Sequence, residues 1–301
     1  MTDLVITRSA YLTPRHGIFN ILRLAAWHSA IVLWAWLAWD HLAWPWYVGL
    51  GALLCLAHQR EMNDWAHEAI HWNLHPDRRL NEIFGNVFAS FWFAMPLAAI
   101  RRAHLLHHKA ATFFSPDDPD TGSLRIESRR DLIRGIIADL SGVGAIYHYA
   151  GYLLGRNTSS VRTTKQATGS RWAMPMVIAG HLAIFIFLIW IGRWQIYVLY
   201  YATLITLYRF SHRIRIYGQH LVIENDETGT CRDSTVSRTV VGNLIDKLIF
   251  ATDVMLYHHE HHNRPDLPYR ALRVVCAREV DRNRYIEARR PILRALWRVA
   301  S

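Results

Sequence analysis

The sequence predicts an all-α integral membrane protein: four transmembrane helices in two hairpins, interfacial helices, and a cytoplasmic helical cap carrying clusters of histidine. Three observations carry this expectation. Several apolar stretches approach the length of a membrane span, about 20 residues. Apart from Arg193, nearly every Lys and Arg falls outside them, in residues 1–23, 58–171 and 209–301. Beyond the ends of those stretches lie three clusters, His67-Glu-Ala-Ile-His71, His104-Leu-Leu-His107-His108 and His258-His-Glu-His261-His262.

In chain order, residues 24–39 and 42–57 make the first hairpin, turning at Asp40-His41. Residues 173–192 and 194–208 make the second, turning at Arg193. Lys and Arg near span ends favour the cytoplasm. Both termini and all three clusters are therefore expected there. Residues 83–100 are uncharged and long enough to cross, but a crossing would separate His104 from His71. They are expected to form a re-entrant or interfacial hairpin with Pro96 near its bend. Residues 136–154 are expected along the interface. Residues 156–171, rich in Ser, Thr and Arg, read as a cytoplasmic loop. Residues 240–256 contain Asp246 and Lys247 and read as an amphipathic helix leading into the last cluster. The chain is expected to be one domain over 1–301, with 1–23 and 276–301 as cytoplasmic tails.

Composition agrees with a membrane setting. Apolar residues make up 51% of the chain, and its 13 Trp and 13 Tyr suit aromatic belts at a membrane surface. The formal charge of +10 fits cytoplasmic loops, or a dock for an acidic partner or anionic lipid. No nucleic-acid-binding motif accompanies it. The three cysteines are scattered, without metal spacing or a disulfide framework. Residues 1–20 hold no secretory signal core.

The histidines carry the chemistry. On a helix, residues three and four apart share a face, so each cluster presents two or three imidazoles in one direction. With 18 His in the chain, chance supplies about 0.07 copies of His-x-x-His-His; there are two. Eight imidazoles are too many for one tetrahedral ion and enough for two ions with open positions. Imidazole suits iron, copper, zinc or nickel. Of these, iron in a membrane setting points to oxidative chemistry.

These clusters resemble the three histidine boxes of the membrane fatty acid desaturase superfamily, whose members are di-iron proteins. The first box is His67-x-x-x-His71, followed by Asn81. The second, His104-x-x-His107-His108, is preceded by Arg101-Arg102 and followed by Asp117-Asp-Pro-Asp120. Arg215-Ile-Tyr-Gly-Gln219-His220 is similar to an Arg-x-x-x-Glu-His element, and Ser237-Arg238-Thr239 to a Thr/Arg-rich step. The third box runs from Tyr257 through Glu260, Pro265, Pro268 and Tyr269 to Leu272. The resemblance covers about residues 45–275. It implies that His67, His71, His104, His107, His108, His258, His261 and His262 are metal ligands, with His220 as a ninth. Asn81, Arg215 and Glu260 would support the ligands or the fold. Gln219 stands where the family has Glu, which changes the tuning expected of His220.

The resemblance also implies two iron ions, dioxygen as co-substrate, and desaturation of an acyl chain held in a membrane lipid or acyl thioester. Hydroxylation or ketolation of an apolar substrate is possible on the same scaffold. The chain has no ferredoxin-like cysteine pattern and no fused haem domain. The expected reductant is therefore a separate ferredoxin, rubredoxin or b-type cytochrome.

Two other classes compete. His67-Glu68-x-x-His71 is a literal H-E-x-x-H, the zinc-protease pattern. That reading leaves two complete boxes and His220 unused. A metal carrier would place its ligands within the spans, whereas these lie beyond the span ends. His16, His28, His41, His75, His148 and His181 read as ordinary surface or core histidines. His58, His212 and His259 stand next to the boxes and could support them.

Overall fold

The computed structural model describes residues 6–115, 117–153, 172–220, 237–250, 252–278, 285–287 and 293. It is mostly helical. Helices α1 (Arg8–Tyr11) and α2 (Pro14–Leu33) come first, and α2 runs on through a π-turn to Ala38. Thr13 caps α2, with Pro14 at its first position. Helix α3 (Trp44–Ile70) has 27 residues, about 40 Å at 1.5 Å per residue. Its first half is apolar. From Cys55 onward it is almost wholly buried, and this half carries Arg60, Asp64, His67 and Glu68.

Helix α4 (Arg78–Phe84) loosens into a π-turn, then a 3₁₀ turn over Ser90–Phe93. It meets α5 (Leu97–His107) at an 85° bend. Ala94 at φ +53° and Pro96 make the corner. The bend returns the chain, so His104 reaches the end of α3 that carries His71. A broken helix leaves backbone carbonyls without intrahelical donors, which lipid cannot satisfy. Three other helices supply partners here. His28 Nε2 donates to Phe88 O (2.9 Å), His181 Nε2 to Phe91 O (2.9 Å), and Tyr149 OH to Phe93 O (3.0 Å).

Residues 136–154, expected as one interfacial piece, belong to two helices. Within the described part, to Leu153, these are α6 (Arg129–Leu140) and α7 (Val143–Leu153), broken at Gly142 with φ +77°. Ser128 caps α6, and Leu132 fixes it to a core with Phe114, Ile126 and Tyr217. The loop expected at 156–171 lies outside the described residues.

Helix α8 (Ala173–Trp190) is followed by α9 (Trp194–Thr203), a π-turn, and α10 (Arg209–His220). Among the described residues, two helices, Pro14–Ala38 and α8, are long and apolar enough to cross a membrane. The bent pair makes a third if counted as one span. The stretches at 42–57 and 194–208 sit instead in longer helices that run on into buried polar residues. Their large apolar side chains still face outward on several turns, as at Leu50, Leu53 and Val198. The two short turns meet: Arg193 pairs with Asp40 at 3.2 Å and lies over the Trp36 and Trp39 rings.

Residues 240–256 are not the expected amphipathic helix. Strand β1 (Thr239–Val241) pairs in parallel with β2 (Tyr285–Glu287), a small departure from an all-α fold. A six-residue helix, α11 (Leu244–Ile249), follows, started by a reciprocal Asn243–Asp246 cap. Turns at 253–255 lead to α12 (His258–Asn263), and α13 (Tyr269–Arg278) is the last described helix before β2.

Candidate metal centre

Each box is positioned by its own local physics. The first sits on the last turn of α3. Asn81 binds that turn at Ala69 O (2.9 Å) while accepting from Leu74 N (3.1 Å). Arg101 donates to Ile70 O and Ala69 O, both at 2.9 Å, pairs with Glu82, and stacks on Trp72 with its charge 4.4 Å from the ring centre. One arginine thereby ties the helix of the second box to the end of the first. Trp72 adopts φ +59°, a left-handed conformation costing on the order of 1–3 kcal/mol in a non-glycine residue. The contacts around Trp72 hold it there.

All nine histidines expected as ligands come together. His67, His71, His104, His108 and His261 form one group, and His107, His220, His258 and His262 a second. Within each group one nitrogen per ring lies within 4.8 Å of all the others, a spacing that could hold a metal ion. The groups adjoin, the His108 and His262 ring centres being 4.4 Å apart. The nitrogens face each other instead of ordinary partners. His258 Nε2 lies 2.8 Å from His220 Nε2 and 3.1 Å from His262 Nε2, and His108 Nε2 lies 3.0 Å from both His104 Nε2 and His261 Nε2. His67 has no partner at either nitrogen, and His71 has none at Nε2. Buried imidazoles normally find hydrogen bonds. Lone pairs converging on common points instead fit one cation per group.

Burial lowers the pKa of His67, His104, His258, His261 and His262, and brings His71 to about 3 and His108 to about 4. These rings are neutral at pH 7, the form that binds metal. His107 differs. Burial opposes its charging, but the Asp118 hydrogen bond and the Asp120 and Asp118 charges raise its pKa.

The carboxylates behind the rings were present in the sequence as the Asp117–Asp120 run, but without a readable role. Asp118 bonds His107 Nδ1 at 2.9 Å, and Asp120 bonds His104 Nδ1 at 3.1 Å. Asp118 is buried and held by Thr121, whose backbone and hydroxyl both donate to it. A carboxylate at Nδ1 fixes the tautomer that turns Nε2 toward a metal. Glu260 accepts from Thr239 Oγ1 at 2.5 Å, and Arg215 donates to Asp64 at 2.7 Å. Gln219 is buried, and its Oε1 has no partner.

The geometry argues against the protease pattern. The Glu68 carboxylate accepts from the Tyr269 amide (3.2 Å), and burial lifts its pKa to about 8. His67 and His71 are joined by three further imidazoles, not by the single ligand a zinc protease adds.

The remaining histidines separate cleanly. His28, His58 and His181 have both ring nitrogens bonded within the helical bundle. His16 caps α2, His75 accepts from Asp77 N, and His259 contacts Ser237. His212 lines a cavity of 240 Å³ beside the centre and accepts from Arg215. That cavity touches His67, His104, His107, His220 and His258, and part of its lining is apolar, with Phe93, Leu204 and Ile205.

Comparison with known proteins agrees with this geometry. The family model for fatty acid desaturases matches residues 43–286, and the chain belongs to that family. The dihydrorhizobitoxine desaturase of Bradyrhizobium elkanii is 23% identical over 236 residues, covering 74% of this chain and 65% of the relative. The match thus spans slightly less than two thirds of that relative's length. No solved structure matches the chain. Family and apolar helices together make this a membrane protein.

Proposed function

We propose that the chain is a di-iron, dioxygen-dependent desaturase acting on the aliphatic part of an acyl substrate. The observation that carries this reading is the meeting of nine imidazoles in two adjoining groups within a desaturase-family chain. His67, His71, His104, His108 and His261 would hold one iron, and His107, His220, His258 and His262 the other. Bound iron supplies the redox chemistry that removes hydrogen from an unactivated carbon. Asp118 and Asp120 keep protons on Nδ1 of His107 and His104, leaving the Nε2 lone pairs for metal. The apolar wall at Phe93, Leu204 and Ile205 excludes water and positions an aliphatic chain against the imidazoles.

Four membrane crossings, with the centre and both termini cytoplasmic, complete the proposal. The Arg193–Asp40 contact supports the two-hairpin layout, because it joins both short turns at one end of the molecule. The chain acts as one domain, and electrons come from a separate ferredoxin, rubredoxin or b-type cytochrome drawn to its basic face. If added salt leaves electron transfer unchanged, that docking mode is wrong.

The test is product analysis in a host expressing the chain, beside its His107→Ala variant. A product lighter by two hydrogens supports desaturation, and one heavier by an oxygen supports hydroxylation. Purified protein should carry about two irons per chain. One zinc and no iron would overturn the proposal.

A further inference from the structure

We infer that the cavity beside the histidines accepts a single-chain substrate ending in a free carboxylate, held at Arg209. The inference rests on the desaturase reading and narrows its substrate. The 240 Å³ cavity has two unlike walls. Phe93, Met95, Leu204 and Ile205 are apolar, whereas Arg209, His212 and Arg215 are basic or polar. A second chamber of 210 Å³ shares Asp120, Arg209 and His212 with the first and extends to Pro119, Ser123 and Asp139. Arg209 therefore stands where the two spaces join.

The charges of this wall and of the side chains packed behind it do not balance. Asp64 accepts from Arg215 (2.7 Å) and Arg60 (3.4 Å), so one carboxylate serves two guanidiniums. Asp139 is gripped by Arg213 through two bonds at 2.5 and 3.2 Å, with Arg209 left at 3.8 Å. Asp120 lines both chambers and keeps its charge, because the His104 ring it bonds is neutral, so among the described residues four arginines face three carboxylates, a surplus of one positive charge. Glu61 nearby is paired with Arg23 and leaves that count unchanged. Arg60 Nε and Nη1 and Arg215 Nε have no partner, though both residues are buried.

Unpaired buried charge is costly, and a guanidinium fork is matched by a planar carboxylate. Arg209 is the least committed of the four, with the longest ion-pair contact, and it is the one at the junction. An acid bound there would run its chain along the apolar wall toward His67 and His104. An ester or thioester would bring no charge to answer the surplus. Phosphate shares the guanidinium chemistry, but chambers of this size suit one short chain and not a two-chain lipid.

The test uses the full chain in lipid nanodiscs, with empty nanodiscs as background, and four probes: octanoate, methyl octanoate, octan-1-ol and octyl phosphate. Octanoate should bind at least tenfold more tightly than the ester or alcohol, from the charge-assisted bonds it alone makes with Arg209. Arg209→Gln should remove that preference and Arg209→Lys should restore part of it, both at unchanged iron content. Equal binding of octanoate and the ester, or an octanoate preference intact in Arg209→Gln, would overturn the inference. Tighter binding of octyl phosphate than octanoate would overturn the carboxylate assignment. Iron measured on the same samples separates the two readings. Iron without an acid preference sinks only this inference, and absent iron sinks the di-iron reading whatever the probes do.

Discussion

Two sets of buried histidines in this chain solve opposite problems. His28, His58 and His181 stand among the apolar helices, and every ring nitrogen is hydrogen-bonded. Tyr200 OH donates to His58 Nδ1, His58 Nε2 donates to His28 Nδ1, and His28 Nε2 donates to Phe88 O. Tyr201 OH donates to His181 Nδ1, and His181 Nε2 donates to Phe91 O. One proton per ring satisfies each chain, so these imidazoles are neutral and complete. In the box histidines, by contrast, nitrogens point at nitrogens or at nothing. Burial alone therefore does not separate a ligand from a structural histidine. The deciding feature is whether the ring nitrogens are already satisfied.

The largest effect that tests this contrast is loss of a box ring. His71→Ala and His107→Ala should each abolish turnover and reduce bound iron, measured by metal analysis, with membrane insertion and helical content retained. His220→Ala should behave the same way. Full activity in His220→Ala would remove it from the second group and leave three rings there.

A smaller effect is expected one bond further out. Asp118→Asn keeps shape but replaces the carboxylate behind His107 with a neutral amide. Metal affinity should fall about 10–100-fold. Asp120→Asn should cost less, because Asp118 is fully buried while a third of the Asp120 side chain is exposed. Competition with a chelator at graded concentration measures both. Equal losses would mean that burial does not set the strength of these bonds.

The convergence of the nine histidines was legible because helical spacing is local and the order of the boxes is a family pattern. The bend was legible too, since a straight crossing would have kept His71 and His104 apart, and Pro96 marked the place. What escaped was non-local. The Asp117–Asp120 run gained its role only from a loop that returns it to the rings on α5. Residues 240–256 have a helix-like composition, but β1 pairs with β2 more than forty positions away, and the Asn243–Asp246 cap starts a fresh short helix. The break at Gly142 depends on a positive φ that the apolar pattern on either side conceals. The partners of His28 and His181 are backbone carbonyls exposed by a helix break, which carry no side-chain signature.

The smallest effects belong to those two residues, and they sharpen the contrast most. His28→Leu and His181→Leu keep the volume apolar but leave Phe88 O or Phe91 O without its imidazole donor. An unsatisfied buried acceptor costs about 1–3 kcal/mol, so melting temperature should drop in each. Iron per chain should stay near the wild-type value in protein that remains folded, because neither ring belongs to a group. His28→Leu also strips the acceptor from His58 Nε2, whereas His181→Leu strips only that of Tyr201 OH, so the first should be the worse of the pair. His41→Ala, at an exposed turn, should stay within about 0.5 kcal/mol of wild type. Loss of iron in folded His28→Leu, ahead of any loss of helix, would mean that the hairpin's carbonyl contacts and the metal groups are one cooperative unit, and the division drawn between the two sets of histidines would not stand.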